Sequence, residues 1–127
     1  AQQQLPTRTL ADGTGLAEYQ RYYLTSAAFA EAHPEVLQSV FNELVKAGQW
    51  LRANPREAAA LLGPLWGDLD PQTVEQANQR RSYEVQAVQR KSLVEQQKIA
   101  DAFFNEGLLP KRIDASDVVL WKPEAVQ

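Results

Sequence analysis

Three prolines set the strongest constraint on this chain. Pro34, Pro55 and Pro71 each open a stretch with apolar residues at helical spacing, and each follows a polar residue, His33, Asn54 or Asp70. Proline has no amide hydrogen and a φ already near the helical value, so it suits the first turn of a helix and not the middle. An Asn or Asp just before it offers a side-chain oxygen to the free N–H groups of that turn. After Pro34, the pairs Val36/Leu37, Val40/Phe41 and Leu44/Val45, and then Leu51, recur at three- and four-residue spacing. This pattern predicts an amphipathic helix near residues 35–52, of about four to five turns. A third helix carries Ala58 to Leu62 and is expected to break near Gly63-Pro64. A fourth starts after the Asp70 cap and runs through Val74 and Ala77.

Two further helices are legible. Ser26 is a good cap for a short one through Ala27, Phe29 and Ala32. The last long one covers Lys91 to Glu106, with Leu93, Ala100, Phe103 and Phe104 on or near one face and Gly107 as its C-terminal cap. Between these lie segments that read as extended. Residues 7–11 precede an Asp12-Gly13-Thr14-Gly15 turn, residues 19–25 are rich in aromatic and β-branched types, and Ser82 to Val88 alternates. The expected class is therefore mainly α with two or three short strands. Two strands alone are marginal in water, and Tyr22-Tyr23-Leu24 would form an exposed sheet edge without a partner. Two readings follow: a part of a larger α/β fold, or a complete helical domain with a small hairpin.

Composition narrows the function. At 127 residues the chain is about one domain, and 44% hydrophobic with 23% charged residues is a globular balance. A net charge of -3 argues against nucleic acid as the partner. With no Cys there is no disulfide scaffold, thiol nucleophile or thiolate zinc site, and one His rules out His-rich metal sites. Lack of Cys also suits an oxidising compartment. No apolar run is long enough to span a bilayer. The chain holds no Met, and Ala1-Gln2-Gln3-Gln4 has no signal-peptide character, so a mature product or an internal piece of a longer protein is expected.

Candidate chemistry is sparse. The Gly13-Thr14-Gly15 turn offers backbone N–H groups and a hydroxyl of the kind that hold anions, although an ordinary turn or hinge looks the same. Arg80-Arg81 offers guanidinium groups for sulfonate, phosphate or carboxylate, or serves as a basic helix end. His33 has no nucleophile or orienting acid near it in sequence. Asp68 and Asp70 open like a calcium loop but lack its Gly and closing Glu, so Asp70 reads as a cap. Trp50, Trp66 and Trp121 line a pocket or fill a core. No nucleophile–base pair, metal set or cofactor fingerprint assembles, so no enzyme, metal or cofactor is expected.

The order of segments nonetheless resembles a known family. Leu10-Ala11-Asp12-Gly13-Thr14-Gly15-Leu16, then Tyr22 to Ser26, Phe29-Ala30 and Pro34-Glu35-Val36-Leu37 resemble the C-terminal part of aliphatic-sulfonate-binding proteins. These are periplasmic solute receptors of ABC importers, in the group that also serves taurine, nitrate and thiamine precursors. Arg80 to Val88 is similar to that group's Arg-containing segment, with Ala87 where relatives often carry Pro. Gln96 to Phe104 and Leu108-Leu109-Pro110-Lys111 are similar to its closing helix and exit loop.

The resemblance implies a fragment of a two-lobed α/β periplasmic-binding-protein fold of type II. Residues 1–18 would end one lobe and cross over, and residues 19–127 would complete the other. It implies no catalysis, a sulfonate-like anion held between lobes, and delivery to an ABC permease. Candidate ligand contacts are Gly13, Thr14 and Gly15 at the crossover, then Arg80 and Arg81. Self-association of the chain alone is also expected, from its unpaired Tyr22–Leu24 edge. The competing expectation is a self-contained helical domain that binds a protein partner.

Overall fold

The computed structural model describes residues 5–13 and 20–124. Among them the elements are α1 (Ala27–Ala32), α2 (Pro34–Ala53), α3 (Pro55–Leu65), α4 (Pro71–Gln79) and α5 (Leu93–Asn105), with 3₁₀ turns at Arg90–Ser92 and Ala115–Asp117. Pro34, Pro55 and Pro71 each occupy the first position of a helix, as their chemistry demands. The residues before them do different work. The Asp70 carboxylate accepts the Thr73 N–H at 3.2 Å and caps α4. Asn54 turns back instead, donating its amide to the Trp50 carbonyl at 2.9 Å and so tying off α2. His33 closes α1 through its N–H to the Phe29 carbonyl, with its ring 5.0 Å from the Phe29 ring. Ser26 caps α1 by accepting the Phe29 N–H at 3.2 Å.

Besides Asn54, whose side chain does not cap α3 as expected, the structure corrects two further sequence expectations. First, α3 runs through Gly63-Pro64 to Leu65. Pro64 removes one hydrogen bond, but the Trp66 N–H reaches the Leu62 and Gly63 carbonyls and closes the last turn regardless. Second, the described residues contain no strand at all, whereas two or three were expected at 7–11, 19–25 and 82–88. A strand is defined by its ladder, and a β-favouring segment without a neighbour to exchange hydrogen bonds with stays irregular. Leu10, Tyr23 and Leu24 are exposed accordingly, and Tyr22 spends its hydroxyl locally on Gln20 at 2.6 Å.

The chain divides into two compact units. One comprises Ala1–Thr14 with Ser39–Gln86. Its core is the packing of α3 on α4, where Ala58, Ala59 and Val74 are fully buried. Small residues let the two helices approach closely. A side chain at Gly63 would meet the Leu69 carbonyl oxygen at 2.7 Å. The connection turns at Gly67 and Asp68, both with positive φ. In the same unit Gly48 of α2 lies directly against the Tyr83 carbonyl, leaving no room for a Cβ.

The other unit comprises Gly15–Gln38 with Ala87–Gln127. Here α5 organises the segment that follows it. Gly107, at φ 71°, ends the helix: the Leu108 N–H reaches the Phe103 carbonyl and the Gly107 N–H reaches Phe104. That paired pattern satisfies the last carbonyls of the helix. Gln97 then secures the returning chain, donating to the Ile113 carbonyl at 3.0 Å and accepting the Ala115 N–H at 2.7 Å.

Asp114 starts the final 3₁₀ turn. Its carboxylate accepts the Ser116 hydroxyl at 2.6 Å and the Ser116 N–H at 2.8 Å. These bonds, the hydroxyl's first, hold its pKa below the ordinary 3.8. A depressed carboxylate supports the turn fully above the ordinary value and loses that support as pH falls through the lowered one. An NMR titration of the Asp114 carboxyl should therefore give a midpoint below 3.8. Ser116→Ala should move that midpoint upward, and an unchanged midpoint would show that the hydroxyl contact is absent in solution.

Candidate functional site

An open groove of about 400 Å³ lies within the unit built on α3 and α4. Its apolar side is Leu51 and Pro55, where α2 gives way to α3. Its polar side comes from the end of α4 and the segment after it: Asn78, Arg81, Ser82 and Tyr83. Arg52 and Glu84 stand on its exposed rim.

Asn78 is where the sequence most departs from expectation. It sits four residues after Val74 on the buried stripe of α4 and is only 4% exposed. Polar residues are placed there only when something satisfies them. The Tyr83 hydroxyl donates to the Asn78 side-chain oxygen, which accounts for one end of the amide. The amide nitrogen has no partner and is closed off from solvent. An unmet buried donor costs about 1–3 kcal/mol.

Tyr83 carries strain of its own. It holds φ at 51°, in a region a tyrosine rarely enters. Such conformations cost about 1–3 kcal/mol and persist where the surroundings enforce them. Here the enforcing contacts are Gly48 against its carbonyl and Asn78 against its hydroxyl. The residue two positions earlier, Arg81, is half-buried with its guanidinium 5.2 Å above the Trp66 ring. A cation over an indole face is attracted to it and is held in place.

The expected site residues fall in different places. Arg81 lines the groove. Arg80 does not: it caps the C-terminus of α4 through its N–H to the Ala77 carbonyl, with its side chain exposed. Gly13 is exposed, and a Cβ there would meet nothing within 4 Å, so neither crowding nor an unusual φ requires glycine. Thr14 and Gly15 lie outside the described residues. Of the tryptophans, Trp66 joins the Arg81 contact, while Trp50 is exposed and Trp121 half-buried. His33 lies 3.7 Å from Glu35 on an exposed surface, with no nucleophile in that contact. Asp68 and Asp70 serve the turn and the cap before α4. Sequence reasoning passed over Asn78 and Tyr83. The signal for the first was a polar residue at i+4 from Val74, on a stripe where an apolar one belongs.

No group of three or more potential metal-ligating residues occurs among the described residues. No described helix is long and apolar enough to cross a membrane. No family model matches the chain, and no solved structure matches it. Over 120 residues, 94% of this chain, it is 27% identical to a protein of Escherichia coli (strain K12) named for the binding of aliphatic sulfonates. The chain spans 37% of that relative's length.

Proposed function

We propose that this chain is the C-terminal part of an extracytoplasmic solute-binding component of an ABC importer. Its ligand is an alkanesulfonate-like anion, held between two lobes and handed to a membrane permease without chemical change. The observation that carries this reading is similarity along 94% of the chain to a sulfonate-binding protein. The physical chemistry supports it. A sulfonate is a permanent anion with three acceptor oxygens, and guanidinium, hydroxyl and amide donors satisfy it without a neutralising proton. Its alkyl tail needs an apolar wall. The groove at Arg81 has donors on one side and Leu51 and Pro55 on the other. Gly13, Thr14 and Gly15 remain candidates for contacts made from the crossover, and Arg80, which does not line the groove, is the weaker candidate of the arginine pair.

The exposed apolar residues fit the same reading. Leu10, Leu24 and Val119 are each more than 80% exposed. In a larger receptor such residues have a remaining sheet and lobe to cover them; in the isolated chain they favour self-association.

The test is calorimetric titration of the full-length protein that carries this chain with ethanesulfonate, taurine and nitrate. Saturable binding of at least one, with ethanesulfonate preferred, is expected. Absence of heat with all three, in a protein shown to be folded, would overturn the reading. The 127-residue chain by itself should bind no better than millimolar, because half a cleft leaves the anion exposed to water, where electrostatic contacts weaken steeply.

A further inference from the structure

An aspartate followed by glycine is the pair in which a main chain most readily rearranges itself, because glycine has no Cβ to hold its nitrogen away from the preceding side chain. This chain contains that pair once, at Asp12-Gly13. Both residues are exposed and outside any helix, and a Cβ at Gly13 would meet nothing within 4 Å. We propose that Asp12-Gly13 is a site of spontaneous isoaspartate formation, and that the rearranged chain is a substrate for an enzyme that methylates the displaced carboxylate. This assignment stands whether or not the chain binds a sulfonate.

The fold protects the competing positions. The rearrangement needs the N–H after an Asp or Asn to swing onto that side chain. Asn54 and Asp70 precede prolines, which have no N–H. After Asp68, the Leu69 N–H is held by the Gly63 carbonyl at 3.1 Å. After Asp114, the Ala115 N–H is held by the Gln97 side chain at 2.7 Å. Asn42, Asn78 and Asp101 lie inside helices, where the next N–H belongs to the helical ladder. The Glu106 N–H that follows Asn105 closes α5 on the Ala102 carbonyl. Asp117 precedes Val118, whose branched side chain crowds the attacking nitrogen.

The chemistry balances with water alone. The Gly13 nitrogen attacks Cγ of the protonated Asp12 carboxyl. A C–N bond forms, a C–O bond breaks, and the hydroxyl leaves as water with the amide hydrogen. The product is a five-membered imide. Water then adds to the former main-chain carbonyl of Asp12 and breaks its bond to nitrogen. The main chain now runs through Cγ and is one methylene longer just before Gly13, with the α-carboxylate left as a side group. Mass and charge return to their starting values.

The test ages the full-length protein that carries this chain, warm and at neutral pH. Samples are then given purified isoaspartyl methyltransferase and radiolabelled S-adenosylmethionine, with a synthetic isoaspartyl peptide confirming that the enzyme is active. Methyl uptake should rise with ageing time, and electron-transfer fragmentation should place it at Asp12. Asp12→Glu keeps the charge at an exposed position but must close a six-membered ring, which forms far more slowly, so it should lose that uptake. No uptake by the aged protein, uptake mapped to another residue, or uptake undiminished in Asp12→Glu would each overturn the assignment.

Discussion

Gly48→Ala is expected to destabilise the unit built on α3 and α4, although the substitution ordinarily helps a helix. Glycine inside a helix costs about 1 kcal/mol relative to alanine, so the change would stabilise α2 if the site were open. The site is closed by the Tyr83 carbonyl, a main-chain atom that cannot rotate aside. Overpacking of a tight contact costs about 1–3 kcal/mol, and a rigid neighbour pushes it to the upper end. The net result should be a loss of about 1–2 kcal/mol. It reads out as a lower urea midpoint, with loss of the Tyr83–Asn78 hydrogen bond as the segment is driven off the helix. Equal or greater stability would show that the carbonyl does not rest on α2.

Arg81→Ala and Arg80→Ala should behave differently despite being neighbours. Arg81 lines the groove and its guanidinium lies over Trp66, whereas Arg80, at the end of α4, is exposed and does not line the groove. Removing a charge-assisted contact costs about 1.5–3 kcal/mol. That corresponds to an affinity for ethanesulfonate weaker by roughly ten- to over a hundred-fold in Arg81→Ala. Arg80→Ala should cost much less, because Arg80 closes the helix end through its backbone N–H, which alanine retains. Calorimetry on the full-length protein separates them: equal losses would place both guanidiniums on the ligand, and no loss in either would return the pair to a purely structural role.

The helices were legible because their signals are local. The periodic apolar residues of α2 and the prolines at three helix starts act within a few residues of themselves, and α2 spans Pro34–Ala53 much as its pattern predicts. Gly107 announced the end of α5 in the same way. The extended segments were not legible, because β-favouring residues describe only half of a pairing. Residues 20–25 have the composition of a strand and remain irregular for want of a ladder. The groove was half visible. A pair of arginines was evident, but which one faces inward depends on where α4 stops, at Gln79. Tyr83 gave no hint of its positive φ, since nothing about a tyrosine requests that conformation. It is imposed by Gly48 and Asn78 from outside the segment.

The small interior around Ala58, Ala59 and Val74 has a calorimetric consequence. The heat-capacity rise on unfolding comes chiefly from apolar surface newly wetted, and so does the steepness of a denaturant transition. A chain that already leaves so many of its large apolar side chains in water has less of that surface to release. Its free energy of unfolding therefore bends little with temperature. Such a flat curve should hold the chain at nearly the same stability in the cold as in the warm, and its melting should spread over a wide interval.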